Sequence, residues 1–172
     1  AVRAFVQEQA AFLQPDRIVV VDALDEPAIL EALVAAPKAL FWRTNDGRFV
    51  ARSHPEDTAR SEERTFHVSD HDEDAGLYTN YRPQHEVDPK LDALMQGAHR
   101  GKTMYVVPWM TASGRAGVQL TDNLYGVGMV MSLYHVGQVA LNHPDLQVAE
   151  GELFDRAVHA TGDLDTIKRG GD

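Results

Sequence analysis

Six side chains of metal-ligand type crowd one short stretch: His67, Asp70, His71, Asp72, Glu73 and Asp74. Imidazoles and carboxylates are ligand types for zinc and manganese, so a metal site is one reading. Closely spaced acids more often form a solvated loop, and that is the expectation, with no metal ligand assigned. His135 lies on a helix expected within the apolar segment Val127 to Leu141. There an imidazole serves as ligand, as base or as a hydrogen-bonded core residue, and the core role is expected. Gly126-Val127-Gly128 has the outline of a dinucleotide loop but lacks the third glycine and a strand-to-helix frame, which excludes that reading. The pattern Gly-x-x-x-x-Gly-Lys-Ser/Thr does not occur, so the chain carries no phosphate-cradling loop of that kind.

The elements that must position such groups are those of one domain spanning residues 1–172. A chain of this length buries roughly 70% of the surface it exposes unfolded. There is no cysteine, hence no disulfide framework and no thiolate metal site. With 26 acidic and 16 basic residues, the formal charge is −10. That charge repels phosphate backbones, so no nucleic-acid partner is expected. No apolar run approaches the roughly 20 residues that span a bilayer, and no basic-then-greasy leader opens the chain. A cytoplasmic protein with no membrane partner is the expectation.

Val2, Phe5, Val6, Gln9, Phe12 and Leu13 recur near helical spacing, predicting an amphipathic helix ended by Pro15. Asp16 to Asp22 holds a continuous apolar run of strand length. Pro27 suits the start of a second helix over 28–34, with Ile29, Leu30, Leu33 and Val34 on one face. A strand over 39–43 follows, so the second helix reads as the crossover of a strand–helix–strand unit, and Asn45-Asp46-Gly47 is a turn by its chemistry. A short helix over 88–95 carries Leu91, Leu94 and Met95 on one side. Thr103 to Val107 reads as a buried strand, Thr111 to Ala116 as a small-residue turn, and Gly117 to Thr121 as a half-exposed strand. A hairpin in the central sheet of an α/β domain is the simplest outcome.

Gly101-Lys102-Thr103-Met104-Tyr105-Val106-Val107-Pro108 and Gly117-Val118-Gln119-Leu120-Thr121-Asp122-Asn123-Leu124-Tyr125 resemble the GTP-dependent phosphoenolpyruvate carboxykinases, especially those of actinobacteria. That family reads Gly-Arg-Thr-Met-Tyr-Val-Val-Pro and Gly-Val-(Glu/Gln)-(Ile/Leu)-Thr-Asp-Ser-x-Tyr at these places. Further segments agree in the same order: Gln14 to Ile18, Asp57 to Phe66, Asp74 to Gly76 with Thr79 to Tyr81, and Phe154 to Gly162. The likeness runs from about Gln14 to Gly162 and concerns the family's N-terminal part only.

The resemblance implies a mixed sheet flanked by helices, with the C-terminal nucleotide-binding domain absent from this chain. Asp57-Thr58-Ala59-Arg60-Ser61-Glu62-Glu63-Arg64-Thr65-Phe66 is similar to the family's Asp-Val-Ala-Arg-Val-Glu-Ser-(Arg/Lys)-Thr-Tyr. It implies that Arg60 contacts the carboxylate and phosphoryl oxygens of oxaloacetate or phosphoenolpyruvate. A guanidinium suits that task, because its planar fork forms paired, charge-assisted bonds and stays ionised. Glu62 stands where the family's glutamate meets the mobile lid, and Glu63 replaces the usual serine. The implied reaction is GTP-dependent decarboxylation and phosphorylation, with Mn2+ or Mg2+. Nucleotide and metal sites lie beyond the matched part, so no catalytic residue, metal ligand or cofactor is assigned here, and catalysis would need the C-terminal carboxykinase half as a separate partner. Two departures stand out: Met129 to Gly137 lacks both arginines of the family's Met-Arg-x-Met-Thr-Arg-Met-Gly, and the Gly-Pro-Leu-Gly segment gives way to the shorter Trp109 to Ala116 loop. The alternative is a non-catalytic module binding a small carboxylate or a protein.

Overall fold

The computed structural model describes residues 1–35, 41–51, 65–71, 73, 80–111, 115–136 and 154–160. Its helices are α1 (Val2–Leu13), α2 (Glu26–Val34), α3 (Gln84–Met95) and α4 (Leu124–Leu133). Its strands are β1 (Arg17–Val20), β2 (Phe41–Arg43), β3 (Phe49–Ala51), β4 (His67–Ser69), β5 (Tyr81–Pro83), β6 (Thr103–Met110), β7 (Ala116–Thr121), β8 (His135–Val136) and β9 (Asp155–His159).

The apolar stripe of α1 is buried at Val2, Phe5, Val6 and Leu13, as its spacing requires. The helix closes on Gln14, whose φ of 56° is left-handed and whose N–H reaches the Ala10 carbonyl. That cap, one residue ahead of Pro15, terminates the helix.

Four strands form the main sheet in the order β1-β6-β7-β9, and β8 pairs with the far end of β6. β1 runs parallel to β6 with Arg17 opposite Thr103, β6 antiparallel to β7 with Tyr105 opposite Thr121, and β7 parallel to β9 with Thr121 opposite His159. This is the expected mixed sheet flanked by helices. The hairpin is present and longer than its sequence reading, because β6 continues through Pro108 to Met110. The Val106 carbonyl accepts from Val21 N–H on the β1 flank, so alternation turns residue 108 to that same flank. β1 has ended there, and β8 begins only opposite Trp109. A residue without an N–H therefore breaks no ladder bond.

The pleat sorts β6 into two cores. Met104 and Val106 pack with Val118, Leu120 and the α1 stripe, while Val107 and Trp109 pack with Val127 and Val130 of α4. β7 is an interior strand, and only Ala116 and Gln119 stay half-buried, so it is more enclosed than its alternation suggested. Phe5 and Phe154 meet edge to face, with ring centres 6.0 Å apart, and bring β9 under α1.

Several expectations need correction. β2 does not join β1. It pairs with β3 around Asn45-Asp46-Gly47, where Gly47 takes φ of 82°, because a tight turn couples its own two flanks before a distant strand can compete. The parallel partner of β1 is β6. β1 is an edge strand among the described residues, with Ile18 and Val20 exposed. The helix α4 ends at Leu133, and His135 lies in β8 opposite Met110, not on a helix. In α3, which begins earlier than expected, Met95 packs toward α1 whereas Leu91 and Leu94 are exposed. Among the described residues, no helix is long and apolar enough to cross a membrane.

Candidate functional site

Two residues singled out by sequence, Arg60 and Glu62, lie outside the described residues, as do Glu63, Asp72 and Asp74. Of the remaining acid and histidine stretch, His67 is in β4 and paired opposite Tyr81, while His71 and Asp70 are exposed neighbours with Nε2 and Oδ1 3.4 Å apart. No group of three or more histidine, aspartate or glutamate side chains converges among the described residues in a way that holds a metal ion. Gly126-Val127-Gly128 falls within the first turns of α4, just after β7, so the strand-to-helix frame expected to be lacking is present and the missing third glycine alone argues against a dinucleotide loop. A Cβ at Gly126 would overlap the Thr121 hydroxyl, so close helix-to-strand packing explains that glycine.

The structure does gather polar groups at one end of the sheet, where β1 and β6 begin and β7 and β9 finish. The turn between α3 and β6 supplies His99 and Lys102, the end of β7 supplies Thr121, Asp122 and Asn123, and the end of β9 supplies His159. Lys102 Nζ lies 2.7 Å from Asp122 Oδ2, and the Asp122 side chain is fully shielded from solvent. Asn123 Nδ2 donates to Asp122 Oδ1 at 2.9 Å, while Asn123 Oδ1 accepts from Gly126 N–H at 2.8 Å and caps α4. Ion pair and helix start are thus one network.

His99 is fully buried. Its Nε2 donates to the His159 carbonyl at 3.0 Å, and Nδ1 has no hydrogen-bond partner among the described residues. Thr121 Oγ1 and His159 Nδ1 share a hydrogen bond at 3.1 Å. Burial, the largest influence, lowers the His99 pKa below the ordinary imidazole value; the His159 carbonyl and Asp122 pull the other way, and Lys102 and the His159 ring push it down further. The backbone of the same turn is tied to α1: Gly97 N–H meets the Phe12 carbonyl, His99 N–H meets the Leu13 carbonyl, and Gly101 N–H meets Asp16 Oδ1 at 3.0 Å. Gly101 takes φ of 73°, which suits glycine.

Chemically, this constellation holds rather than reacts. The Lys102 charge is balanced by Asp122, and the Thr121 hydroxyl is buried away from solvent. The sequence did not mark these residues as a set. Their signal was register alone: Lys102 precedes one hairpin strand and Asp122 follows the other, so pairing the two strands brings them together.

A family model described as the phosphoenolpyruvate carboxykinase N-terminal domain matches residues 4–171. The chain is similar to a protein of Corynebacterium efficiens named phosphoenolpyruvate carboxykinase [GTP], 32% identical over 169 residues, covering 92% of this chain and 27% of that protein. A protein of the same name from Paenarthrobacter aurescens is 34% identical over 168 residues, with the same shares of 92% and 27%. One from Neocallimastix frontalis is 31% identical over 148 residues, covering 81% of this chain and 24% of its own length. The chain spans about a quarter of the length of these curated relatives.

Proposed function

The chain belongs to the phosphoenolpyruvate carboxykinase N-terminal domain family, and from that membership we propose that it supplies the substrate side of a GTP-dependent carboxykinase. In this reading it helps to bind oxaloacetate or phosphoenolpyruvate while the rest of the catalytic apparatus, carried by a C-terminal carboxykinase half, brings GTP and a divalent ion. The relatives' shared name supports GTP as the nucleotide. Manganese or magnesium would supply charge neutralisation on the moving phosphoryl group. The described residues do not provide a donor set for such an ion.

Arg60 is the substrate-anion contact, and Glu62 supports closure over the bound substrate. The observation that carries this is the run Asp57 to Phe66, in which the family's arginine and glutamate fall on Arg60 and Glu62 within the stretch matched by the family model. A guanidinium offers an enol phosphate or dicarboxylate two parallel charge-assisted hydrogen bonds. Calorimetry with phosphoenolpyruvate tests it. Arg60→Ala is expected to weaken binding by about tenfold to a hundredfold, the loss of roughly 1.5 to 3 kcal/mol from one charge-assisted contact. Unchanged affinity would remove Arg60 from the site. Mixing the chain with the complementary part of a relative and measuring GTP-dependent turnover tests the wider reading.

A second reading rests on the departures in Met129 to Gly137 and in the stretch from Trp109 to Ala116. In it, the domain binds a small carboxylate or a protein without chemistry. Phosphoenolpyruvate binding that survives in a reconstituted, turnover-silent complex would favour it.

A further inference from the structure

His99 joins three parts of the fold that are distant in sequence. Its backbone N–H is held by the Leu13 carbonyl at the end of α1, its carbonyl accepts from Lys102 N–H within the turn, and its ring reaches the His159 carbonyl 60 residues away. The ring is fully buried, and Nδ1 meets no donor or acceptor among the described residues. A carbonyl only accepts, so Nε2 carries the proton and Nδ1 is a bare acceptor in the neutral ring.

We propose that His99 is an acid-sensitive latch, which fixes the C-terminal end of β9 to the turn before β6 while its ring is neutral and releases that end when Nδ1 takes a second proton. The proton would arrive on an atom with no acceptor, inside a site closed to water, and an unmatched buried charge is strongly disfavoured. The ring relieves that by moving to solvent, and its hydrogen bond to His159 goes with it. The groups that face the ring are Lys102 from its own turn, Asp122 from the end of β7 and His159 from the end of β9. Asp122 is already engaged with Lys102 at 2.7 Å, which limits how far it can stabilise a second cation. The last turn of α1 presents no basic residue. Residues of β9 beyond His99's grip remain paired to β7, and Arg115 still binds Asp155 with two bonds of 2.5 and 2.7 Å, so opening is confined to the His159 end.

Hydrogen exchange read by mass spectrometry at about pH 7.5 and about pH 5.5, corrected for intrinsic rates, tests the latch. In the wild type, segments 96–103 and 154–160 are expected to exchange faster in acid by up to about tenfold, the most that protonation of a released imidazole of ordinary pKa brings across that window, while α1 and α2 keep their protection. His99→Gln retains an N–H donor and cannot take the proton, so its exchange should lose the acid dependence. His159→Gln should retain it. Protection in the wild type that ignores pH, an identical acid response in His99→Gln, or loosening spread evenly over all elements would overturn the proposal. Should His99→Gln fail to fold, the ring's own titration in the wild type by NMR decides: a midpoint below the ordinary imidazole value supports the latch, and one at or above it overturns it.

Discussion

The Lys102 ammonium and the Asp122 carboxylate, 2.7 Å apart, close the open end of the β6–β7 hairpin, with the carboxylate wholly shielded and the lysine side chain 29% exposed. Lys102→Met strands a buried charge. The expected loss is about 2 to 3 kcal/mol, somewhat below the figure for a fully buried pair because the lysine keeps part of its hydration. Urea unfolding measures it, and Lys102→Met combined with Asp122→Leu should recover much of the loss.

Asn123 caps α4 through Gly126 N–H and also donates to Asp122 Oδ1. Replacement by alanine is expected to cost about 1 to 2 kcal/mol. Aspartate ordinarily caps as well as asparagine, yet here Asn123→Asp sets a second carboxylate 2.9 Å from the first. It should be the worse of the two, and the order of the two urea midpoints checks this.

Gly117 faces the ring of Trp109, and a Cβ there would overlap it. Gly117→Ala should destabilise by about 1 to 3 kcal/mol through overpacking. It should also shift the emission of Trp109, which now stacks on Tyr134 with ring centres 4.5 Å apart. A variant with unaltered midpoint and fluorescence would mean that β6 and β7 part more easily than their packing indicates.

The pH dependence of stability has a definite sign at His99. Its folded-state pKa lies below the ordinary 6.5, chiefly through burial, so the unfolded chain binds the proton more readily. Its contribution is then fully present above about pH 6.5 and is lost as pH falls toward the folded value. Denaturant midpoints across that window should fall with acid in the wild type and less steeply in His99→Gln.

The parts of this fold legible in sequence are those governed by neighbours. The stripe from Val2 to Leu13, the turn at Asn45-Asp46-Gly47 and the hairpin around Thr111 to Ala116 depend on local periodicity and turn chemistry, and the structure has all three. Pairing of β1 with β6, and the bond between His99 and His159, join residues far apart in the chain. Local pattern says nothing about such closures, whose geometry follows from packing of the whole core. That is also why the crossover reading missed that β2 pairs with β3 and not with β1, and why His135 was placed on a helix that stops at Leu133. Of the candidate site, Arg60 and Glu62 came from the likeness of one polar run to the family's. The end-of-sheet network emerged only from strand register.

Among the described residues β1 has a strand on one side only, and two aliphatic side chains, Ile18 and Val20, are turned outward from it. A bare ladder flank with greasy side chains is a template on which another extended segment can be laid. Handled in concentrated solution, this polypeptide should therefore clump through Arg17–Val20, and a lysine in place of Val20 should keep it dispersed.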